Sequence, residues 1–307
     1  MTDADDVFTE LRPLLFTIAY NLVGTATDAE DVVHDCYLRW RNRSLSDVDD
    51  PRAYLVTAVS RTGLNHLRTV GRRRETYVGN WLPEPIRTDD DASHDAVLAD
   101  SVSIAMLVVL ETLAPVERAV FVLHEVFDFP HAEIATLIGK SEPAVRQIAH
   151  RARVHVRARR PCVTDATVAP RPRPQDGRDV VARFLYAAHT GDVAALISML
   201  APDVVQMSDG GGRVAAARRP ITGADKVAAF AVGLARTSMA DAHVTLATVN
   251  AAPGAIFTMA GTVDSVAAFD VVDGRITAFY AIRNPEKLVA VDEIRRLDRG
   301  RDMTWRP

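Results

Sequence analysis

Cysteine is nearly absent: Cys36 and Cys162 are the only two in 307 residues, and neither sits in a CxxC pair or beside histidines at metal-ligating spacing. A disulfide framework and a metal site are therefore not expected. No apolar run approaches the roughly 18–20 residues that a bilayer crossing needs. The N-terminus also lacks the basic, apolar and small-residue succession of a secretory signal. A cytoplasmic chain with no membrane partner is the expectation. Net positive charge is missing as well, the formal balance being −4; taken alone this argues against DNA binding, because phosphate attraction needs a basic surface.

The charge is segregated rather than absent. Residues 1–60 carry 11 acids against 5 arginines, 61–74 carry 5 arginines and no acid, and 141–160 carry 6 arginines against Glu142 alone. With 48% apolar and 25% charged residues, the chain has material for two or three soluble units.

Periodicity predicts helices over 7–22, 28–42 and 51–67, the second with a buried stripe at Ala29, Val32, Val33, Cys36, Tyr37 and Trp40. Residues 76–94, containing Trp81-Leu82-Pro83-Glu84-Pro85, read as an irregular linker. Helices resume over 95–160, and Pro161, Pro170, Pro172 and Pro174 mark a stiff extended linker over 161–176. Beyond it, a helical stretch and strand-like runs at 204–208, 243–249, 255–263, 266–272 and 276–282, with turn signals such as Asp273-Gly274, predict an antiparallel α+β unit over 177–307.

The sharpest local motif spans 131–153. His131–Ile138 reads as a short helix closed by Gly139; Ser141 is a good N-cap and Pro143 is tolerated in the first turn of a second helix. Val145, Ile148, Ala149 and Ala152 face inward, leaving Arg146, Gln147, His150, Arg151 and Arg153 outside. In a helix-turn-helix, Arg146 and Gln147 are the base readers, since arginine pairs bidentately with guanine and glutamine with adenine. His150 and Arg151 can read or touch phosphate, and Arg153 positions the helix by charge.

With Leu113-Ala-Pro-Val-Glu-Arg-Ala-Val-Phe-Val-Leu123 ahead of it, this segment resembles domain 4 of extracytoplasmic-function (ECF) sigma factors, which reads the −35 element. Asp28-Ala-Glu-Asp-Val-Val-His-Asp-Cys-Tyr-Leu-Arg-Trp40 and Pro51-Arg-Ala-Tyr-Leu-Val-Thr-Ala-Val59 resemble their domain 2. The last third is similar to the SnoaL-like, ketosteroid-isomerase-type cone of SigJ-type sigma factors. Its motifs are Trp81–Pro85 in the linker, Asp209-Gly210-Gly211-Gly212-Arg213, with Arg where Lys is usual, and Asn284-Pro285-Glu286-Lys287-Leu288, with Glu for Asp.

The resemblance implies a multidomain fold: domain 2 (1–75) as a three- to four-helix bundle, a linker (76–94), domain 4 (95–160) with the helix-turn-helix, and an α+β cone with its tail (177–307). It implies core RNA polymerase and promoter DNA as partners, one copy of the chain per polymerase, and no cofactor. Asp28, Asp31, Asp35 and Arg39, on one face of the acidic helix, would dock on polymerase. Arg61, Asn65, Arg68, Arg72, Arg73 and Arg74 would track −10 DNA, and loop 44–50 would border the pocket for a flipped base. The three motifs would meet and regulate domain spacing, an unknown small molecule in the cone being a further partner. Asp209, His243, Asp264 and Tyr280 are the raw material for cone chemistry, but a turn role suits Asp209 and a core strand position suits Tyr280, and no catalytic residue is assigned. Two other readings stay open: a polymerase-independent regulator with the cone as ligand sensor, and a cone enzyme (isomerase or cyclase) fused to a DNA-binding module.

Overall fold

The computed structural model of the protein describes residues 4–43, 48–74, 77–88, 95–159 and 174–300; the side chains of 70–74 and 174–176 lie outside that description, as does the proline-rich segment 161–173 with Cys162. Helices α1 (Ala4–Val23), α2 (Ala26–Trp40) and α3 (Pro51–Arg74) form the first unit. The predicted α2 stripe is buried apart from Tyr37, which is half-buried with its ring centroid 5.0 Å from that of Phe8. The helix α3 runs to Arg74 rather than to 67. Its arginine-rich end has no apolar stripe to read, although arginine is a good helix former.

Residues 77–88 were expected to be an irregular linker. They form a strap ending in the short strand β1 (Arg87–Thr88), with Leu82 through Ile86 buried. Pro83 and Pro85 bring no amide that burial would leave unpaired, and the strap's remaining polar groups find partners on every side. Helices α4 (Ala96–Val102), α5 (Ile104–Leu110), α6 (Pro115–Phe121), a π-turn (Val122–Val126), α7 (His131–Ile138) and α8 (Glu142–Arg159) follow. Gly139 closes α7 with φ +68°, the left-handed stop read from the sequence. The two helical units share one apolar core, from Leu15 and Leu22 through Leu55 and Val59 to Leu107, Val120, Leu123 and Val145.

The third unit comprises α9 (Pro174–Thr190), α10 (Val193–Met199), β2 (Leu200–Asp209), β3 (Ile221–Thr222), α11 (Ala224–Arg236), β4 (His243–Val249), β5 (Ala252–Met259), β6 (Thr262–Val272), β7 (Arg275–Ile282), a 3-10 turn (Pro285–Lys287) and β8 (Ile294–Arg295). The sheet order is β3-β2-β7-β6-β5-β4-β1-β8. Strands β4 to β7 form the expected antiparallel meander, but β2 joins β7 in parallel. Ala260 (φ +48°) and Gly261 (φ +81°) make a tight turn that divides the run read as one strand over 255–263. Helix α11 escapes the pattern reading because its buried stripe is mostly small: Val227, Ala228 and Ala231.

On one face of the sheet, α9, α10 and α11 cover a core in which the rings of Phe184, Phe269 and Phe279 lie 5.4–5.9 Å apart. On the other face, Leu82 of the strap and Ile104 of α5 pack with Val249, Val266 and Ile282. Thus the strap and the tail complete the cone's sheet through β1 and β8. No described helix is long and apolar enough to cross a membrane.

Candidate nucleic-acid interface and its interdomain lock

The helix-turn-helix presents what its sequence promised, with one exception. In α8, Val145, Ile148, Ala149 and Ala152 are buried, while Arg146, Gln147, His150 and Arg151 are exposed. Arg153 is not on that open face: it is half-buried and its guanidinium donates to Glu125 at 2.6 and 3.2 Å. Its charge is spent inside the unit. Arg146 pairs with Glu142 one turn earlier, an exposed pair that DNA can displace at little cost.

On α3, Asn65 and Arg68 are exposed neighbours, 3.3 Å apart through their side chains. Arg61 lies on the same face but donates to the carbonyls of Leu137 (3.0 Å) and Thr136 (3.2 Å), the open C-terminal end of α7. A residue read as tracking −10 DNA therefore grips the helix-turn-helix instead. The side chains of Arg72, Arg73 and Arg74, and residues 44–47 of the base-pocket loop, fall outside the described residues. On α2, Asp31, Asp35 and Arg39 are exposed as expected, whereas Asp28 is half-buried, bonded to Thr25 and 3.2 Å from the His66 imidazole.

The three sequence motifs meet. Asp209 is fully buried; one carboxylate oxygen accepts from the Tyr77 hydroxyl (2.6 Å) and the Gly211 amide (2.9 Å), and the other from the Leu82 amide (2.9 Å) and the Lys287 ammonium (2.7 Å). Lys287 also donates to the Leu82 carbonyl at 2.5 Å and lies 4.4 Å from the Trp81 ring centroid and 4.8 Å from that of Tyr77. A buried ion pair persists only when its remaining hydrogen-bonding capacity is met, and here the strap meets it. The hydroxyl of Tyr77 is pushed up by burial and by the adjacent carboxylate. Asn284 donates to Tyr77 at 2.9 Å and its own oxygen accepts from the Glu286 amide. Arg213 and Glu286, the two motif positions that depart from the usual residue, pair with each other at the surface.

Beyond Trp81 the strap crosses to the first helical unit. The carboxylate of Glu84 accepts from the amide (3.0 Å) and hydroxyl (3.1 Å) of Thr27, capping the positive end of α2, the acidic helix. The Tyr20 hydroxyl donates to the Glu84 carbonyl (2.7 Å) and accepts from Asn250 (2.7 Å), which also donates to the Val102 carbonyl at 2.7 Å. Asn250, in the β4–β5 turn at φ +53°, thereby touches both helical units and, through the Ile86 amide (3.1 Å), the strap. Sequence reasoning passed over it; its one signal is an asparagine between two strand patterns.

Two buried arginines close the arrangement. Arg118 of α6, paired with Glu111, donates to the Asn21 carbonyl at 3.0 Å near the end of α1, and burial pulls its pKa down to about 9. Arg299 of the tail donates to the Val126 carbonyl (2.6 Å), Asp95 (3.2 Å) and Asp128 (3.1 Å). Beside it, the Asp298 amide donates to the Thr17 hydroxyl oxygen, and Arg52 donates to the Gly300 carbonyl. Earlier in the tail Arg295 pairs with Glu30. The tail, whose effect the sequence leaves without a sign, joins both helical units.

The four residues considered for cone chemistry are not gathered into one site. Asp209 belongs to the lock, His243 is exposed, Asp264 pairs with Arg283, and Tyr280 donates to Asp270 at 3.3 Å.

Residues 7–73 match the Sigma-70 region 2 family and residues 103–156 the Sigma-70, region 4 family. The chain is 40% identical over 293 residues to ECF RNA polymerase sigma factor SigJ of Mycobacterium tuberculosis, covering 91% of each. It is 35% identical over 225 residues to a probable ECF RNA polymerase sigma factor, SigI, of the same organism, covering 70% of this chain and 71% of the relative. The crystal structure of the M. tuberculosis SigJ protein superposes with a TM-score of 0.73 and 36% identity, over 94% of this chain and 99% of that one.

Lys287→Met strands the Asp209 charge, so unfolding experiments should register a loss of about 3–5 kcal/mol, whereas Arg213→Ala, removing an exposed pair, should change stability by less than about 1 kcal/mol. Burial pushes the Glu84 carboxyl up. Its contribution to stability is then full below the ordinary glutamate value and lost as pH rises through the raised one. Urea-unfolding midpoints measured against pH should fall across that window, and Glu84→Gln should flatten them there; an unchanged slope removes Glu84 from the account.

Proposed function

Because the chain belongs to the ECF RNA polymerase sigma factors, we propose that the arrangement described here is the closed form of an initiation factor, held shut by its own C-terminal cone and tail. The family assignment carries the basic activity: the protein is a transcription initiation factor acting with core RNA polymerase on promoter DNA, and not an enzyme. It displaces the readings of a polymerase-independent regulator and of a cone enzyme. The finer assignments are ours: Arg146, Gln147, His150 and Arg151 read the −35 element; Asn65, Arg68, Arg72, Arg73 and Arg74 track the −10 strand, joined by Arg61 on opening; Asp31, Asp35 and Arg39, with Asp28 at their buried edge, face polymerase. The work is done in the cytoplasm by one copy per polymerase.

The observation that carries the closed reading is the grip of Arg61 on Leu137 and Thr136. Elements labelled −10 and −35 lie about 25 base pairs apart, or about 85 Å of duplex at 3.4 Å per step. An 18-residue helix such as α8 is only about 27 Å long. Two domains sharing a core, with a DNA-tracking arginine hydrogen-bonded to the helix-turn-helix, cannot occupy both elements at once. Opening must break the Arg61, Arg118 and Arg299 contacts. The strap sits beside the Arg118 contact: a Cβ on Gly24 of the first unit would lie 3.2 Å from both the Trp81 ring and the Arg118 guanidinium. Trp81, Asp209–Arg213 and Asn284–Leu288 thus act as the regulatory hinge.

A small molecule inside the cone is a second reading, favoured by the side-chain oxygen of Gln206, which is buried without a hydrogen-bond partner. The packed phenylalanine rings weigh against a large one.

Run-off transcription with core polymerase tests the main proposal. Trp81→Ala, Arg299→Met and a version ending near Ala169 should each change the yield of promoter-specific transcript relative to the full chain; equal yields from all four end the regulatory reading. In the same assay Arg146→Ala should cost about 1–3 kcal/mol of promoter affinity, a 5- to 150-fold loss, and relax discrimination at one base of the −35 element.

A further inference from the structure

We propose that the loop following Asp209 is a DNA-phosphate surface through which the cone itself adds to promoter binding, extending the basic end of α3. The inference rests on the initiation-factor reading above. Residues 210–223 contain Arg213, Arg218 and Arg219 and no acidic residue. Arg213 is partly neutralised by Glu286. Arg218 and Arg219 are exposed and make no hydrogen bond or ion pair among the described residues. Among the other arginines of the cone and tail, Arg283 pairs with Asp264, Arg295 with Glu30 and Arg299 with Asp95 and Asp128, whereas Arg183, Arg236 and Arg296 are exposed and scattered singly. Arg218 and Arg219 differ from these in standing side by side in a loop without an acidic residue.

The loop is held at fixed points. The amides of Arg213 and Val214 both return to the Gly210 carbonyl (3.0 and 3.2 Å), Arg283 donates to the Ala215 carbonyl (2.8 Å), and Asn80 of the strap donates to the Ala217 carbonyl (3.2 Å). Its backbone is positioned before any partner arrives, which lowers the ordering cost of binding.

The same contacts fix where the loop lies. Tyr77 bonds to Asp209, and a Cβ on Gly212 would lie 3.0 Å from the Val78 side chain. Arg74 ends α3 three residues before Tyr77, a span of at most about 10 Å of chain. The arginine-rich end of α3 and the arginines of the loop therefore flank one short piece of strap. Guanidinium groups suit phosphate oxygens, which they can engage through two parallel N–H donors. A duplex or strand leaving α3 would continue onto this loop, so the partner we assign is the DNA backbone. An acidic patch of polymerase is the competing partner and is separable by experiment.

The test uses the full chain with core polymerase and a promoter duplex, with affinity measured between 50 and 200 mM salt. Each lost phosphate contact lowers the slope of log affinity against log salt by about 0.9. The double variant Arg218→Ala/Arg219→Ala should thus reduce the slope by about 1–2, shrinking the affinity lost over that salt range by up to about tenfold. Arg218→Lys/Arg219→Lys, keeping the charge, should retain most of the slope. An unchanged slope in the alanine variant overturns the proposal. A slope unchanged while core-polymerase affinity falls overturns it too, and gives the loop to the protein partner. Failure of the initiation reading would appear separately, as loss of promoter-specific transcript from the wild-type chain, and the slope comparison on the same duplex would still report on the loop.

Discussion

The architecture hangs on a carboxylate that has no water. Asp209 lies at the end of β2 with no exposure, and a charge in that position must be fully partnered or neutralised. Its partners come from the strap (Tyr77 and Leu82), from the 3-10 turn after β7 (Lys287) and from its own loop (Gly211). Satisfying one acid thus pulls the strap onto the cone. Once Leu82 is placed, Glu84 reaches α2, Ile86 reaches Asn250, and β1 enters the sheet. The contacts between the helical units and the cone follow from that first requirement.

What the sequence made legible and what it hid divide along a physical line. The helix-turn-helix was readable because its determinants are local: Gly139 needs a left-handed φ, and the inward positions of α8 repeat at helical spacing. The meeting of the three motifs was readable only through family resemblance, since Asp209 and Lys287 are separated by 78 residues and their pairing has no periodic signature. Arg61, Arg153 and Arg299 mark the limit. A basic residue's partner is invisible in composition: Arg61 and Arg153 read as DNA-facing and Arg299 carried no signal of its own, yet all three spend donors on protein carbonyls and carboxylates. The linker misled for a related reason: prolines and charges suggest exposure, yet proline buries without an unpaired amide and Glu84 carries its charge to a helix end.

The same arrangement sets cost against specificity. Buried guanidiniums such as Arg118 and Arg299 contribute little net stability compared with apolar replacements of the same shape, but they accept only one geometry. They define the one arrangement that we propose is the closed form. On the closed-form proposal, polymerase need not unfold anything; it would have to offer better partners for a few desolvated charges and for the acidic face of α2. The proposed switch is then an exchange of hydrogen-bonding partners, and a modest difference in affinity between the two forms can drive it.

Arg299 occupies a special place in time as well as in space. It is near the end of the chain, yet the groups it joins, around Thr17, Asp95 and Val126, are made much earlier. At synthesis rates of about 5–20 residues per second, the stretch from 160 to 299 takes roughly 7–28 seconds. During that interval the two helical units have their shared core and the Arg61 and Arg118 contacts but lack the added clasp of the tail. On the proposed reading, a polymerase meeting the nascent chain would find the helical units held by fewer contacts than after Arg299 is made.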